Sequence, residues 1–237
     1  MWTPPTDGAW NMALDEALLE AHREGLSPPT LRLYGWARPT VSLGYAQRAE
    51  PAQVAAWREA GAEVVRRPTG GRAVVHAGDL TYSIVTSGLP AGVAASYRVL
   101  AQALALGLMR LGLPAGLAPG GASPGRSPAC FASTTQADLG VGGHKLVGSA
   151  QVRRQGAVLQ HGSTYVSRSP WLGLLPGSEA LRTLEEALGR PVGVDEAGAA
   201  LIAGVVEALG VGLTPGEATA WELHRATAAE ASWRLSP

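Results

Sequence analysis

The segment RRPTGGRAVVHAGDLTYSIV, residues 66–85, is the part of the sequence that decides the fold. Its proline and glycines at 68–71 are typical of a turn. Residues 73–76 and 80–86 then read as two strands around 77–79, which predicts a β-hairpin. Two glycines after a strand let the backbone approach a ligand closely, and the paired arginines can clamp a carboxylate or phosphate. The residues alone leave a plain basic hairpin equally open.

Outward from this segment, helical and strand-like stretches alternate. Helices are predicted over 9–24, 51–60, 97–111, 179–188, 197–209 and 215–233. Further strands are predicted over 31–34, 41–44, 63–66, 145–153 and 157–166, the last two joined by a turn at 155–156. In the first helix the leucines share one face, and Asp15, Glu16 and Glu20 are expected to face water. The pattern predicts one α/β (α+β) domain over 1–237, with a mixed, mostly antiparallel sheet flanked by helices, a catalytic core at 10–210 and a C-terminal helix at 215–233.

Composition excludes several classes of function. Nineteen basic and nineteen acidic side chains cancel, so no basic field is available for nucleic acid or an anionic membrane. The sequence has no long apolar run and no basic stretch followed by an apolar one at its start, so a cytoplasmic protein is expected. A single cysteine excludes an internal disulfide, and five dispersed histidines predict no metal site.

Two of the residue types that occur once in the sequence attract attention. Lys145 is the one lysine among nineteen basic residues, and Cys130 is the one cysteine. Cys130 follows a stretch rich in Gly, Pro and Ser at 116–128, where a thiol is accessible. An ammonium close to a thiol stabilises the thiolate, and lysine, unlike arginine, can also relay a proton. A small buried cysteine and a lysine retained by chance remain open, as does His161 as an acid, a base or a residue satisfied between strands.

Five motifs in order carry a resemblance to a known family. They are NMALDEALL at 11–19, PTLRLYGWARPTVSLGYAQ at 29–47, RRPTGGRAVVHAGDLTYSIV at 66–85, PACF at 128–131 and GHKLVGSAQVRRQGAVLQHGS at 143–163. Together they resemble the biotin/lipoate protein-ligase superfamily and, within it, the cysteine-dependent octanoyltransferases of LipM type. After PACF those relatives usually show Asp-x-Pro-Ser, where this chain has ASTT at 132–135.

The resemblance implies a biotinyl/lipoyl-protein-ligase-type catalytic domain that transfers an octanoyl group. The donor would be octanoyl-acyl carrier protein, and the acceptor a lysine of a lipoyl-domain protein such as the glycine-cleavage H protein. Cys130 would carry the acyl group as a thioester, Lys145 would activate it, and no cofactor would be needed. The resemblance implies substrate-binding roles for Arg67, Thr69, Gly70, Gly71, His76, Tyr82, Gly148, Ser149, His161 and Gly162.

Two other functions fit the same fold. An ATP-dependent lipoate–protein ligase would use free lipoate or octanoate with ATP and Mg. Such ligases usually have a third glycine where this chain has Arg72, and they need no cysteine ahead of the lysine. A non-catalytic module that binds acyl groups or carrier protein is the second alternative, although it has no use for an activated thiol.

Overall fold

The computed structural model describes residues 1–117, 138–178 and 181–235. In chain order the strands are β1 (Thr30–Tyr34), β2 (Thr40–Leu43), β3 (Glu63–Arg66), β4 (Val74–His76), β5 (Asp79–Thr86), β6 (Gly116–Leu117), β7 (Leu139–Val141), β8 (His144–Arg154) and β9 (Ala157–Tyr165). The helices are α1 (Gly8–Arg23), α2 (Pro51–Glu59), α3 (Val93–Arg110), α4 (Leu184–Leu188), α5 (Val194–Leu209) and α6 (Ala220–Trp233), with a 3-10 helix at Pro170–Leu174.

The strands form two sheets. The large sheet has the order β1-β5-β9-β8-β7-β6, and all its neighbours are antiparallel. The small sheet has the order β3-β2-β4, in which β2 pairs with β3 in parallel and with β4 antiparallel. The predicted mixed, mostly antiparallel sheet flanked by helices is confirmed. None of the helices in the described ranges is long and apolar enough to span a membrane.

Helices cover both faces of the large sheet. Helices α3 and α5 pack on one face, where Leu33 and Tyr82 meet Leu201. Helices α1 and α6 pack together, and the leucines of α1 lie against Tyr34 and Leu159 on the other face. The carboxylate of Glu63 on β3 accepts hydrogen bonds from the first N–H groups of α1, at 2.7 and 3.3 Å, and so ties this helix to the small sheet.

The predicted hairpin of 73–76 with 80–86 is wrong, although both strands exist. Strand β4 pairs with β2 in the small sheet, whereas β5 is hydrogen-bonded on both sides in the large sheet, by β1 and β9. A strand with two partners has no free edge for a third. Gly78 adopts φ +80°, and the chain crosses from one sheet to the other at this point.

Four helices begin three or more residues away from their predicted starts, among them α5, which begins at Val194 rather than at 197. Helix α4 begins at Leu184 and α6 at Ala220, each after a capping box in which a threonine and a glutamate three residues later satisfy each other's backbone N–H groups. The predicted starts at 179 and 215 are therefore too early, and residues 179–180 lie outside the described ranges. Helix α3 instead begins four residues earlier than predicted, at Val93. The turn at 155–156 is confirmed, with positive φ at both residues.

Candidate active site

Two rows of residues cross the large sheet side by side on one face. The strand register aligns Gly148, Ser163, Thr81 and Tyr34 in one row. It aligns Ala150, His161, Ser83 and Arg32 in the next. The rows are two residues apart along each strand, so their side chains share a face. The middle of this sheet is therefore polar where an ordinary core would be apolar, which marks a site.

A partly open pocket with a cavity volume of about 40 Å³ lies over these rows. Helix α1, the small sheet and the segment after β3 form its other walls. Its lining residues are Met12, Tyr34, Trp36, Ser42, Arg67, Gly71, Val74, His76, Thr81, Gly148, Ser149, Ala150, His161, Gly162 and Ser163. Seven of the ten predicted substrate-binding residues are among them, and the other three, Thr69, Gly70 and Tyr82, are not.

Asp15 lies beneath this pocket, and the expectation that it faces water is wrong. The side chain is fully buried, and its carboxylate accepts hydrogen bonds from Arg32 Nη1 (2.8 Å), Tyr34 OH (2.8 Å), Ser83 Oγ (2.8 Å) and His161 Nδ1 (2.9 Å). Burial alone would raise the pKa of Asp15, but the hydrogen bond from His161 and the charge of Arg32 outweigh it and lower the pKa. The carboxylate is thus ionised.

Glu16 and Glu20, the other acidic residues of α1, are half-buried. They form ion pairs with Arg154 and Arg225, so water reaches them only in part.

His76 and Trp36 form a second polar group at the pocket. His76 Nδ1 lies 2.8 Å from Asp79 Oδ2, and its Nε2 lies 2.8 Å from Ser42 Oγ. Burial lowers the pKa of His76, while Asp79 acts in the opposite direction. The Trp36 ring stacks on His76 with 3.7 Å between ring centroids, and its indole N–H donates to Thr81 Oγ1 at 2.8 Å. These contacts hold strand β4 and Trp36 in place over the large sheet.

The glycine loop, residues 68–71, closes the pocket on the small-sheet side. A Cβ on Gly44 would lie 2.0 Å from the carbonyl oxygen of Gly71, so the loop lies directly against the backbone after β2. The Arg67 guanidinium donates to the carbonyl oxygens of Gly70 (2.8 Å) and Arg72 (2.7 Å). Arg66 likewise donates to three backbone carbonyl oxygens after β2. The two arginines, predicted to clamp an anion, donate to the backbone in this structure: Arg67 holds the glycine loop, and Arg66 holds the chain after β2.

Lys145 forms a buried ion pair with Asp138, a residue that the sequence did not single out. Lys145 Nζ lies 3.0 Å from Asp138 Oδ1, and the two side chains are 4% and 3% exposed. A Cβ on Gly140 would lie 2.6 Å from the His144 carbonyl oxygen, so β7 runs close to β8 and brings the carboxylate to the ammonium. Cys130, the predicted nucleophile, lies outside the described residues.

Tyr82 is hydrogen-bonded to a residue that lines the pocket. Its hydroxyl donates to Ser149 Oγ at 2.6 Å, and Ser149 lines the pocket. Burial raises the pKa of Tyr82 to about 12, with a contribution from the negative charge of Asp138. Opposite, a Cβ on Gly162 would lie 2.4 Å from the Gly148 carbonyl oxygen, so only glycine fits there. Lys145 lies on the same strand, β8, three residues before Gly148 of the pocket lining.

The sequence contained a signal for the buried positions of Asp15 and Arg32, which were not predicted. Met12, Asp15 and Leu19 follow the i, i+3, i+7 spacing of a buried helical face, which places a carboxylate in the core. Arg32 lies between two leucines that pack into the opposite core, so it belongs to the polar face. No local pattern marks Asp138. Within the described ranges, no group of His, Cys, Asp and Glu is arranged to hold a metal ion.

Comparison with known proteins gives a consistent result. The family model of the lipoyl protein ligase A/B catalytic domain matches residues 7–205. The octanoyltransferase LipM of Symbiobacterium thermophilum is 44% identical, over 90% of this chain and 86% of its own length. The LipM proteins of Kyrpidia tusciae (43% identical, 92% and 89% covered) and Moorella thermoacetica (41% identical, 98% and 95% covered) are similarly close.

Solved structures of two ligases have a similar fold. One is Ta0514, a putative lipoate protein ligase from T. acidophilum with bound lipoic acid (28% identity, TM-score 0.81, 96% of this chain and 91% of the other covered). The second is a lipoate-protein ligase A bound with ATP (28% identity, TM-score 0.82, 98% and 92% covered).

Proposed function

The chain belongs to the lipoyl protein ligase A/B catalytic-domain family, and on that basis we propose that it is an octanoyltransferase of lipoate biosynthesis. The observation that carries the proposal is its identity of 41–44% with three LipM octanoyltransferases over at least 86% of their lengths. The pocket over the large sheet, here called the acyl pocket, is where we propose that the acyl chain binds.

The proposed reaction has two steps. The Cys130 thiolate attacks the carbonyl carbon of octanoyl-acyl carrier protein, the carbon–sulfur bond of the donor breaks, and the carrier thiolate takes up a proton. The product is an octanoyl thioester on Cys130. The amine of an acceptor lysine then attacks this thioester, an amide forms, the amine loses a proton, and the Cys130 thiolate leaves. One thioester replaces another and then becomes an amide, so no ATP and no cofactor are required.

Lys145 is the charged group that we assign to both steps. An ammonium near the thiol favours the thiolate and stabilises the negative charge that develops on the thioester oxygen. The buried carboxylate of Asp138 at 3.0 Å supports this role, because it offsets the cost of removing the ammonium from water. Lys145 and the pocket-lining residues Gly148 and Ser149 lie on the same strand, β8, which supports a role for the pair at the acyl pocket.

For the partners, we propose octanoyl-acyl carrier protein as donor and a lipoyl-domain protein as acceptor. A relative in fold supports the class of acceptor: an archaeal bipartite lipoate protein ligase that was studied with its E2 lipoyl domain (25% identity, TM-score 0.74). The glycine-cleavage H protein is the specific acceptor that we propose to test first.

Intact-protein mass spectrometry tests the proposal. Wild type mixed with octanoyl carrier protein is expected to gain one octanoyl mass, and neutral hydroxylamine is expected to remove it because it cleaves thioesters. Since Cys130 is the one cysteine, this lability assigns the adduct to it. Cys130→Ser is expected to gain no labile adduct. A hydroxylamine-resistant adduct, or one that persists in Cys130→Ser, would sink the proposed thioester.

The second candidate is an ATP-dependent lipoate–protein ligase, which the two similar ligase structures favour. It predicts release of pyrophosphate from ATP on addition of lipoate or octanoate, in wild type and in Cys130→Ser alike. The octanoyltransferase predicts no such release. A module that only binds octanoyl carrier protein would show binding with neither adduct nor pyrophosphate.

A further inference from the structure

We propose that Asp15 is a positioning residue of the acyl pocket. It fixes the tautomer of His161. The Nε2 atom of His161 then accepts a hydrogen bond from the Thr69 hydroxyl, and this contact holds the glycine loop against the pocket. The inference rests on the proposed function, because it takes this pocket to be the acyl site.

The surroundings of Asp15 determine where the proton of His161 lies. Arg32 and Ser83 donate to Oδ1, and Tyr34 donates to Oδ2, which also faces His161 Nδ1 at 2.9 Å. An ionised carboxylate accepts hydrogen bonds and donates none. The ring nitrogen that faces it therefore carries a hydrogen, and a neutral His161 is the Nδ1–H tautomer.

The other ring nitrogen reaches the glycine loop. His161 Nε2 lies 2.6 Å from Thr69 Oγ1, and in the Nδ1–H tautomer this nitrogen only accepts, so Thr69 donates. On its other side, the Thr69 carbonyl oxygen accepts the N–H of Tyr45 at 2.8 Å. Thr69 is thus held between the large sheet and the chain after β2. Gly71, two residues further, lines the pocket.

This arrangement assigns His161 a role different from acid–base catalysis. Both ring nitrogens have partners inside the protein, and the ring would have to break one of these contacts to exchange a proton with substrate. Its contribution is to fix the pocket wall. Losing the contact with Thr69 is expected to weaken donor binding and to leave the chemical steps nearly intact.

Replacement of Asp15 by asparagine tests the tautomer directly. The amide has one acceptor oxygen, which the Arg32 guanidinium requires, so its NH2 group faces His161 and donates to Nδ1. His161 is then expected to become the Nε2–H tautomer. Long-range ¹H–¹⁵N correlation spectra distinguish the two tautomers, and comparison with His161→Gln assigns the signal. An Nε2–H tautomer in wild type, or an unchanged Nδ1–H tautomer in Asp15→Asn, would overturn the inference.

Three threonine variants test the consequence for the reaction. Thr69→Val removes the hydroxyl and is expected to raise KM for octanoyl carrier protein about three- to tenfold with kcat nearly unchanged, the effect of one hydrogen bond. Thr69→Ser keeps the hydroxyl and is expected to restore KM. Thr40→Val is the matched control, since the hydroxyl of this buried threonine donates to the Arg38 carbonyl oxygen outside the pocket, and its kinetics should stay at wild-type values.

The outcomes separate this inference from the proposed function. Suppose that wild type transfers octanoyl. An unchanged KM in Thr69→Val then contradicts the inference and leaves the function intact. The same holds if Thr69→Ser is as impaired as Thr69→Val. Absence of transfer by wild type contradicts the function, and the tautomer of His161 then still decides whether Asp15 fixes the ring. If Asp15→Asn does not fold, because the buried Arg32 has lost its countercharge, the wild-type spectrum and the threonine variants remain decisive.

Discussion

Replacing Asp138 with asparagine is expected to lower the free energy of unfolding by about 3–5 kcal/mol, the usual cost of removing one member of a buried ion pair. The pair is buried on both sides, with 4% and 3% of the side chains exposed and 3.0 Å between Lys145 Nζ and Asp138 Oδ1. The variant keeps the shape of the side chain and removes its charge. The ammonium is then left in a place of low dielectric constant without this carboxylate.

A double-mutant cycle isolates the interaction. Lys145→Met is expected to destabilise the protein as well, because it leaves the Asp138 carboxylate buried without the ammonium. The double variant Asp138→Asn/Lys145→Met is expected to be more stable than the sum of the single effects predicts, by about 1–3 kcal/mol. Urea unfolding followed by tryptophan fluorescence, with linear extrapolation, measures all four proteins.

A surface pair serves as the control for this cycle. Arg110 and Glu207 also lie close, at 2.6 Å, but about half of each side chain is exposed. Water screens such a pair, so Glu207→Gln is expected to cost less than about 1 kcal/mol. A cost of Asp138→Asn as small as that of this control, or single effects that simply add, would contradict a stabilising contact between Lys145 and Asp138.

Three further predictions test other parts of the structure. Gly162→Ala is expected to reduce both stability and octanoyl transfer, because its Cβ would lie 2.4 Å from a carbonyl oxygen of β8; unfolding and steady-state assays that match wild type would contradict this. Met12→Ala enlarges the acyl pocket and is expected to favour longer acyl thioesters in a competition assay. Leu14→Ala, on the same helix but outside the pocket, is the control. Each variant is expected to lower the free energy of unfolding by about 2–5 kcal/mol, but Leu14→Ala should leave the acyl-chain preference unchanged. Arg168 holds the pKa of Glu186 at about 2, below its ordinary 4.5, so their pairing stabilises the fold above pH 4.5 and this contribution is lost as the pH falls toward 2. Arg168→Gln is expected to flatten that part of the curve of thermal stability against pH, and a curve parallel to that of wild type would argue against the pairing.

The strands and helices could be predicted because each has a local cause. Period-two stretches between glycine turns gave the strands, and the turn at 155–156 was predicted from its Gln-Gly pair. Pairing was harder. Residues 73–76 and 80–86 carry a good local turn signal, yet their partners lie in different sheets because β1 and β9 occupy both edges of β5. That competition is between distant segments, and no local pattern reports it.

Part of the candidate site could be predicted from the sequence as well. His161 and Gly162 were predicted within a family motif, and the sheet register then placed them at the pocket. Asp15 was assigned to solvent because carboxylates are rarely buried, and only the four donors from distant strands explain why this one is. Asp138 is polar in an unremarkable stretch, and its role depends on a contact with β8 that only the folded chain makes.

The central claim is that the acyl group passes through Cys130, and the isolated intermediate tests it most directly. Enzyme acylated by octanoyl carrier protein is separated from the donor and mixed with a lipoyl-domain protein in the absence of ATP. The account predicts that the octanoyl mass leaves the enzyme and appears on a lysine of the acceptor, at a rate at least equal to steady-state turnover. Two results would contradict the account. In one, the acylated enzyme keeps its octanoyl group; in the other, it releases the group only as free octanoate while modification of the acceptor requires ATP.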